Sequence, residues 1–140
     1  MRAIIIDASV AVKWFNQEED TDKALILREE HIDGIKMLCA PTQLTYEVCN
    51  TIWKNTQIPG EDAEKAAGAL NDLDLNLTQP EKEDLARTMS IARERDVTFY
   101  DASYIQLAEK LGTTLYTADQ KQHEAARELV ETRLLKEARI

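Results

Sequence analysis

The sequence has 140 residues, 15.9 kDa and 44% hydrophobic residues, which is the size and composition of one domain with its own core. Glycine and proline number only 4 and 3, and this excludes low-complexity, collagen-like and disordered classes. The net charge of -9 disfavours a protein that coats nucleic acid through bulk electrostatics. A local nucleic-acid site remains open, because clustered carboxylates can hold divalent cations that meet phosphates.

No apolar run in the sequence approaches the length of about 20 residues that spans a bilayer. The first apolar run, residues 3–6, is interrupted by Asp7 before a signal-peptide core could form. Cys39 and Cys49 lack the spacing of metal ligands and are interpreted as free packing residues. These features predict a cytoplasmic protein.

Short β-branched runs alternate with longer amphipathic segments along the chain. In chain order, we predict a strand at residues 2–7, helices at 9–15 and 21–32, a strand at 37–40, helices at 42–57 and 61–73, a strand at 74–78, helices at 80–95 and 101–111, a strand at 113–118, a helix at 119–130 and an edge strand at 132–135. Pro41 is expected to begin the helix at 42–57, and Gly112 to end the helix at 101–111. The pattern predicts a single α/β domain with a parallel sheet of about four to five strands and helices on both faces.

Four acidic residues stand where water should be scarce. Asp7 ends an Ile-Ile-Ile run, and Asp119 directly follows a strand-like segment. Asp101 shares a helix face with apolar residues, and Glu47 borders the apolar side of its helix. A carboxylate in such a place is costly unless donors or a cation compensate it. Because ligand sites of parallel sheets gather beyond the carboxyl ends of strands, these acids could converge on Mg²⁺ or Mn²⁺.

Each acid also has an explanation that involves no site. Asp7, Asp101 and Asp119 each precede a predicted helix, and aspartate is a favoured N-cap residue. Glu47 could be an exposed or edge residue of its helix. From the sequence pattern alone, a cation site and a set of helix caps with an edge glutamate are both possible.

Four motifs resemble those of PIN domains, and they occur in the order of that family. They are Ile4-Ile-Ile-Asp-Ala-Ser-Val-Ala-Val-Lys-Trp-Phe15, Tyr46-Glu-Val-Cys-Asn-Thr-Ile-Trp53, Thr98-Phe-Tyr-Asp-Ala-Ser-Tyr-Ile-Gln-Leu-Ala108 and Leu115-Tyr-Thr-Ala-Asp119. The sequence is more narrowly similar to the VapC-type PIN ribonucleases of prokaryotic toxin–antitoxin pairs. The resemblance covers essentially the whole chain and implies one PIN-like domain over residues 1–140.

The resemblance implies a site for Mg²⁺ or Mn²⁺ and assigns roles within it. Its catalytic and metal-binding residues are Asp7, Glu47, Asp101 and Asp119, with Ser9 and Thr117 in support and Lys13 as a candidate substrate-binding residue. Glu47 could bind the ion directly or through water, or could help to deprotonate the nucleophile. Lys13 is equally well explained as an exposed helix residue.

The predicted function is divalent-metal-dependent hydrolysis of RNA phosphodiester bonds by an endoribonuclease, the toxin of a toxin–antitoxin pair. Its partners would be RNA, a cognate antitoxin protein and a second copy in a homodimer, without a membrane. One alternative is a receiver-like signalling module, which the single acid at Asp7 and the lack of a lysine near Thr117 oppose. The other is an interaction protein of PIN-like fold that has lost catalysis.

Overall fold

The structure, a computed structural model, describes residues 2–140. Its five parallel strands form one sheet in the order β3-β2-β1-β4-β5. The strands are β1 (Arg2–Ile6), β2 (Lys36–Pro41), β3 (Asn76–Thr78), β4 (Leu115–Thr117) and β5 (Thr132–Leu134). The helices are α1 (Ala8–Ala11), α2 (Thr21–Ile32), α3 (Leu44–Lys54), α4 (Gly60–Asp72), α5 (Lys82–Arg95), α6 (Phe99–Leu111) and α7 (Gln120–Ala126). The predicted parallel α/β fold is confirmed.

Strand β1 lies at the centre of the sheet and carries the middle of the core. Ile4, Ile5 and Ile6 are fully buried, as expected for a β-branched strand that is covered on both faces. Ile4 pairs with Leu38 of β2, and Ile5 pairs with Leu115 of β4. The strand therefore holds the two halves of the chain together.

The direction of the connections explains why helices cover both faces. From β1 to β3 the chain steps along the sheet one way, and from β3 to β5 it steps back the other way. Right-handed crossovers in opposite directions place their helices on opposite faces. The helices α1 to α4 thus cover one face, and α5 to α7 cover the other.

Several helix boundaries differ from the sequence prediction by two or more residues. Pro41 ends β2, where it pairs with Thr78, and does not begin the next helix. Helix α6 begins at Phe99, two residues before the predicted start, because the Thr98 hydroxyl accepts a hydrogen bond from the Asp101 amide and caps it. Helix α7 is shorter than predicted and ends at Ala126. Gly112 ends α6 as predicted, in the left-handed conformation with φ of 61°.

Helix α6 is fixed to α5 by a polar cluster around Asp84. This buried carboxylate accepts hydrogen bonds from Gln106 Nε2 and Lys110 Nζ of α6, each at 2.9 Å. The Glu81 backbone amide, followed by Lys110, lowers the pKa of Asp84, so the carboxylate is ionised and both pairings are charge-assisted. The contact sets the position of α6 against the sheet.

Two expectations from composition can be compared with the described residues. None of the helices within residues 2–140 combines the length and apolar character of a bilayer span. Cys39 is buried, Cys49 is half-buried and both are free thiols, as predicted.

Candidate active site

The acidic residues meet at the edge of the sheet where its strand order changes direction. Asp7 directly follows β1, and Asp119 lies two residues beyond the end of the adjacent strand β4. Connections leave β1 and β4 towards opposite sides of the sheet, which opens a crevice beyond their carboxyl ends. Such switch points are the usual ligand sites of parallel sheets.

Asp7 is held by two hydroxyl groups at the bottom of this crevice. Its side chain is buried, with 6% exposure. Ser9 donates to Asp7 Oδ1 from its hydroxyl at 2.5 Å and from its amide at 3.1 Å. Thr117 Oγ1 donates to Asp7 Oδ2 at 2.5 Å. Both carboxylate oxygens are therefore oriented by named partners.

The same hydroxyls connect Asp7 to the segment that carries Asp119. Ser9 Oγ accepts a hydrogen bond from the Ala118 amide at 2.8 Å, and Thr117 Oγ1 accepts one from the Asp119 amide at 3.1 Å. The ends of β1 and β4 are thus linked through Ser9 and Thr117. A change in either hydroxyl would move both acids.

The electrostatics show that three aspartates share this space. Burial, together with the charges of Asp101 and Asp119, raises the pKa of Asp7 from 3.8 to about 6, and the Ser9 and Thr117 hydrogen bonds oppose this rise. Burial and the charge of Asp119 also raise the pKa of Asp101, while the Thr98 hydrogen bond and Lys121 oppose the change. The side chains repel one another in the absence of a cation.

Glu47 reaches the same region from α3. Its side chain is half-buried, and Oε1 accepts hydrogen bonds from Tyr104 Oη and Gln43 Nε2, each at 2.9 Å. Burial, followed by Glu47, Asp7 and Asp101, raises the pKa of the Tyr104 phenol far above its usual value. The Tyr104 hydroxyl therefore lies near three of the four acids, and these acids belong to three different segments of the chain.

The capping interpretation applies to two of the acids. Asp7 caps α1 through the Ser9 amide, and Asp119 caps α7 by accepting from the Lys121 amide at 2.9 Å. Asp101 is not a cap, since Thr98 fills that position for α6. Capping and membership of the cluster are compatible, because a carboxylate has about four acceptor sites and the cap uses one of them.

The donor set suits a hard divalent cation. All candidate ligands are carboxylate oxygens, and their mutual repulsion is the charge that such an ion neutralises. Within residues 2–140, no three carboxylate, imidazole or thiol side chains lie close enough together to be direct ligands of one ion. The arrangement therefore fits Mg²⁺ in its usual mode, bound by one or two carboxylates with waters between the ion and the remaining acids.

Lys13 lines a small cavity with Ala118 and Gln120, the neighbours of Asp119, and is not the exposed helix residue of the alternative interpretation. It is 8% exposed, and its ammonium donates to Glu18 Oε1 at 3.2 Å and to the Glu19 carbonyl at 2.7 Å. These two contacts use two of the three N–H donors of the ammonium and leave one for a substrate. Its assignment to substrate binding stays a prediction.

Tyr104, Gln122 and Gln43, which bonds Glu47, are polar residues of the site that carry no role in the sequence prediction. Tyr104 follows Asp101 by one helical turn, and tyrosine at a buried helix position is most simply explained as packing. Gln122 is 1% exposed and donates from Nε2 to the Asp101 carbonyl at 2.9 Å, which links α7 to α6. The available signal was spacing, since Tyr104 and Gln122 each follow a candidate acid by three residues.

A large cavity lies elsewhere. It has a volume of about 940 Å³, lies beside the beginning of β2 and is lined by residues such as His31, Lys36 and Asp72. None of the four candidate acids lines it. Volume alone therefore does not identify the site, whereas charge and strand order do.

Acids gathered at the switch point of a parallel α/β sheet are compatible with a metal-assisted phosphodiester hydrolase. The chain belongs to the PIN domain family, whose model matches residues 4–128. The resemblance carried by the four motifs is thus confirmed.

Several characterised proteins are similar to this chain. Ribonuclease VapC3 of Pyrobaculum aerophilum is 28% identical over 122 residues, which are 84% of this chain and 90% of the relative. Exonuclease VapC9 of the same organism is 34% identical over 76 residues, or 54% of this chain and 57% of the relative. The crystal structure of Mycobacterium tuberculosis VapC20, described as a Sarcin-Ricin loop cleaving toxin, superposes with a TM-score of 0.67 at 18% identity, covering 93% of this chain and 98% of that one.

Proposed function

We propose that this protein is a divalent-metal-dependent endoribonuclease and the toxin of a toxin–antitoxin pair. The observation that carries the proposal is the meeting of Asp7, Asp101 and Asp119 at the switch point, with Glu47 joined to them through Tyr104. The name of the 28% identical relative, Ribonuclease VapC3, supports RNA as the substrate. The description of the M. tuberculosis neighbour as a toxin supports the biological role.

Asp7, Asp101 and Asp119 would hold Mg²⁺ or Mn²⁺, no more than two of the acids directly and the others through water. Glu47 would be a direct ligand, a ligand through water or a base. When bound, such an ion neutralises phosphate charge and makes water a stronger nucleophile at neutral pH. The protein contributes orientation, because Ser9 and Thr117 hold both oxygens of Asp7. No side chain is proposed as a covalent nucleophile.

The first test is cleavage of RNA by the purified protein with Mg²⁺, with Mn²⁺ and with EDTA alone. We expect cleavage with either metal and none with the chelator, since the uncompensated carboxylates would repel the phosphate. A circular RNA should also be opened, because an endonuclease needs no chain end, and this separates the proposal from an exonuclease. Cutting that persists in EDTA, or that spares the circle, would contradict it.

The proposal also includes a homodimer in the cytoplasm, with a cognate antitoxin protein as a further partner. Tyr46 and Trp53 of α3 are seven residues apart on one helix face and are 81% and 75% exposed. Exposed aromatic residues at this spacing are typical of protein interfaces.

Sedimentation at micromolar concentration should therefore show a species of twice 15.9 kDa. Trp53→Glu should shift the protein towards the monomer, because it places a charge in the apolar contact. Met89→Glu, which changes an exposed apolar residue of α5, should leave the dimer intact. A wild-type protein that sediments only as a monomer would exclude the homodimer.

A further inference from the structure

Tyr104 occupies a position where its ring belongs to the core and its hydroxyl belongs to the acidic site. The side chain is 1% exposed and lies on α6, one turn after Asp101. A buried tyrosine needs a hydrogen-bond partner for its hydroxyl. The partner here is Glu47 Oε1 on α3, at 2.9 Å. A hydrogen bond from a buried phenol to a carboxylate is charge-assisted, so it is stronger than one between neutral groups.

The same oxygen has a second donor, which makes the arrangement asymmetric. Gln43 Nε2 lies 2.9 Å from Glu47 Oε1 and also 2.9 Å from the Tyr100 carbonyl. No donor among residues 2–140 makes a hydrogen bond to Glu47 Oε2. The carboxylate is thus anchored through one oxygen, and the other remains available to a ligand.

A packing role alone does not account for this geometry. Phenylalanine would fill the same space in α6 without placing a polar group among carboxylates. The hydroxyl of Tyr104 is the group that joins α6, which carries Asp101, to the side chain of Glu47 on α3.

From these contacts we infer that Tyr104 is a positioning residue for Glu47: its hydroxyl, together with Gln43, anchors Oε1 and leaves Oε2 as the oxygen that Glu47 presents to the site. The inference rests on the proposed function and deepens it, because it assigns a working oxygen to Glu47. Tyr104 itself does not contact the substrate.

The test compares Tyr104→Phe with the wild-type protein in RNA cleavage at several Mn²⁺ concentrations. We expect the rate at subsaturating Mn²⁺ to fall by about 10- to 100-fold, the usual cost of losing a group that orients a ligand. In a Glu47→Ala background, Tyr104→Phe should cause no further loss, since nothing remains to be oriented. Tyr100→Phe, which removes an exposed hydroxyl from the same helix beside Asp101, is the matched control and should be unchanged.

Two results would overturn the inference. One is full activity of Tyr104→Phe at every Mn²⁺ concentration. The other is an equal loss of rate in the wild-type and Glu47→Ala backgrounds, which would mean that the hydroxyl acts elsewhere. If Tyr104→Phe does not fold, Gln43→Met removes the other donor from a half-buried position, and the same comparison with Glu47→Ala applies.

A parallel measurement separates failure of this inference from failure of the proposed function. Urea unfolding of the wild type, Tyr104→Phe, Glu47→Ala and the double variant in EDTA requires neither RNA nor metal. Non-additive unfolding midpoints would support the anchor even if the wild type cut no RNA. If the changes in unfolding midpoint of Tyr104→Phe and Glu47→Ala simply add in the double variant, the two side chains are not coupled and the inference is overturned.

Discussion

Asp7→Asn is expected to lower the rate of metal-dependent RNA cleavage by more than about 100-fold, because loss of an outer group alone costs about 10- to 100-fold. A neutral amide is a much poorer ligand for Mg²⁺ than a carboxylate. The fold should survive, since asparagine caps a helix as well as aspartate does. Thr117 can accept a hydrogen bond from the new amide group in place of the one that it donates to Asp7.

The measurement is the initial rate of cleavage at saturating Mn²⁺, with circular dichroism as the check on folding. Asp101→Asn should cause a loss of similar size, whereas Asp62→Asn, at an exposed position in the first turn of α4, should behave as the wild type. Rapid cutting by both site variants, after contaminating nucleases are excluded, would mean that the acids are helix caps or surface charges and that this PIN-like protein has no catalytic site here.

The second large effect concerns the stability of the metal-free protein. The pKa of Asp7 is raised from 3.8 to about 6, so between these values the folded state binds more protons than the unfolded state. The contribution of Asp7 to stability is therefore complete below pH 4 and is lost as the pH rises through 6. The difference between the two pKa values corresponds to about 3 kcal/mol in the free energy of unfolding. Asp7→Asn should thus be more stable than the wild type at pH 7 and should lose this advantage near pH 4.

Differential scanning calorimetry with EDTA at pH 4 and pH 7 measures this change. At pH 7, Mn²⁺ at one hundred times its dissociation constant should stabilise the wild type by about 2.7 kcal/mol. For a domain of this size that is a rise in melting temperature of several degrees. The rise should be smaller for Asp7→Asn and Asp101→Asn, and unchanged for Asp62→Asn. A wild type indifferent to Mg²⁺ and Mn²⁺, with both site variants destabilised at pH 7, would show that no cation site exists at the switch point.

Most of the fold is predictable because its signals are local. The alternation of short β-branched runs with longer helical segments leads to a parallel sheet, and Ile4, Ile5 and Ile6 mark its central strand. Strand order is not local, because it depends on which strands pair. The error at Pro41 has the same origin, since a proline after an apolar run can begin a helix or end a strand, and the pairing with β3 decides between them.

Asp7, Glu47 and Asp101 could be predicted because each lies beside apolar residues where a carboxylate is costly, and the first is buried and the other two are half-buried. Asp119 is exposed, so the expectation that water is scarce there is wrong, and its position just beyond β4 is the signal that identifies it. The sequence does not predict a role in the site for Tyr104, Gln43 or Gln122, since tyrosine and glutamine are common in helices. Their partners depend on packing between α3, α6 and α7. The start of α6 could be predicted from the sequence, because Thr98 followed by Asp101 three residues later has the spacing of a helix N-cap.

The pairing of β1 with β4 has a consequence for the newly made protein. Ile5 and Asp7 of the first segment donate backbone hydrogen bonds to Thr114 and Tyr116, residues that are synthesised more than 100 positions later. A chain that is still being translated has its first acid but neither Thr117 nor Asp119. Closing so long a loop is also slower than forming local helices. The proposed site therefore assembles only after β4 has left the ribosome and paired with β1, and a nascent chain that presents β1 alone lacks two of its groups.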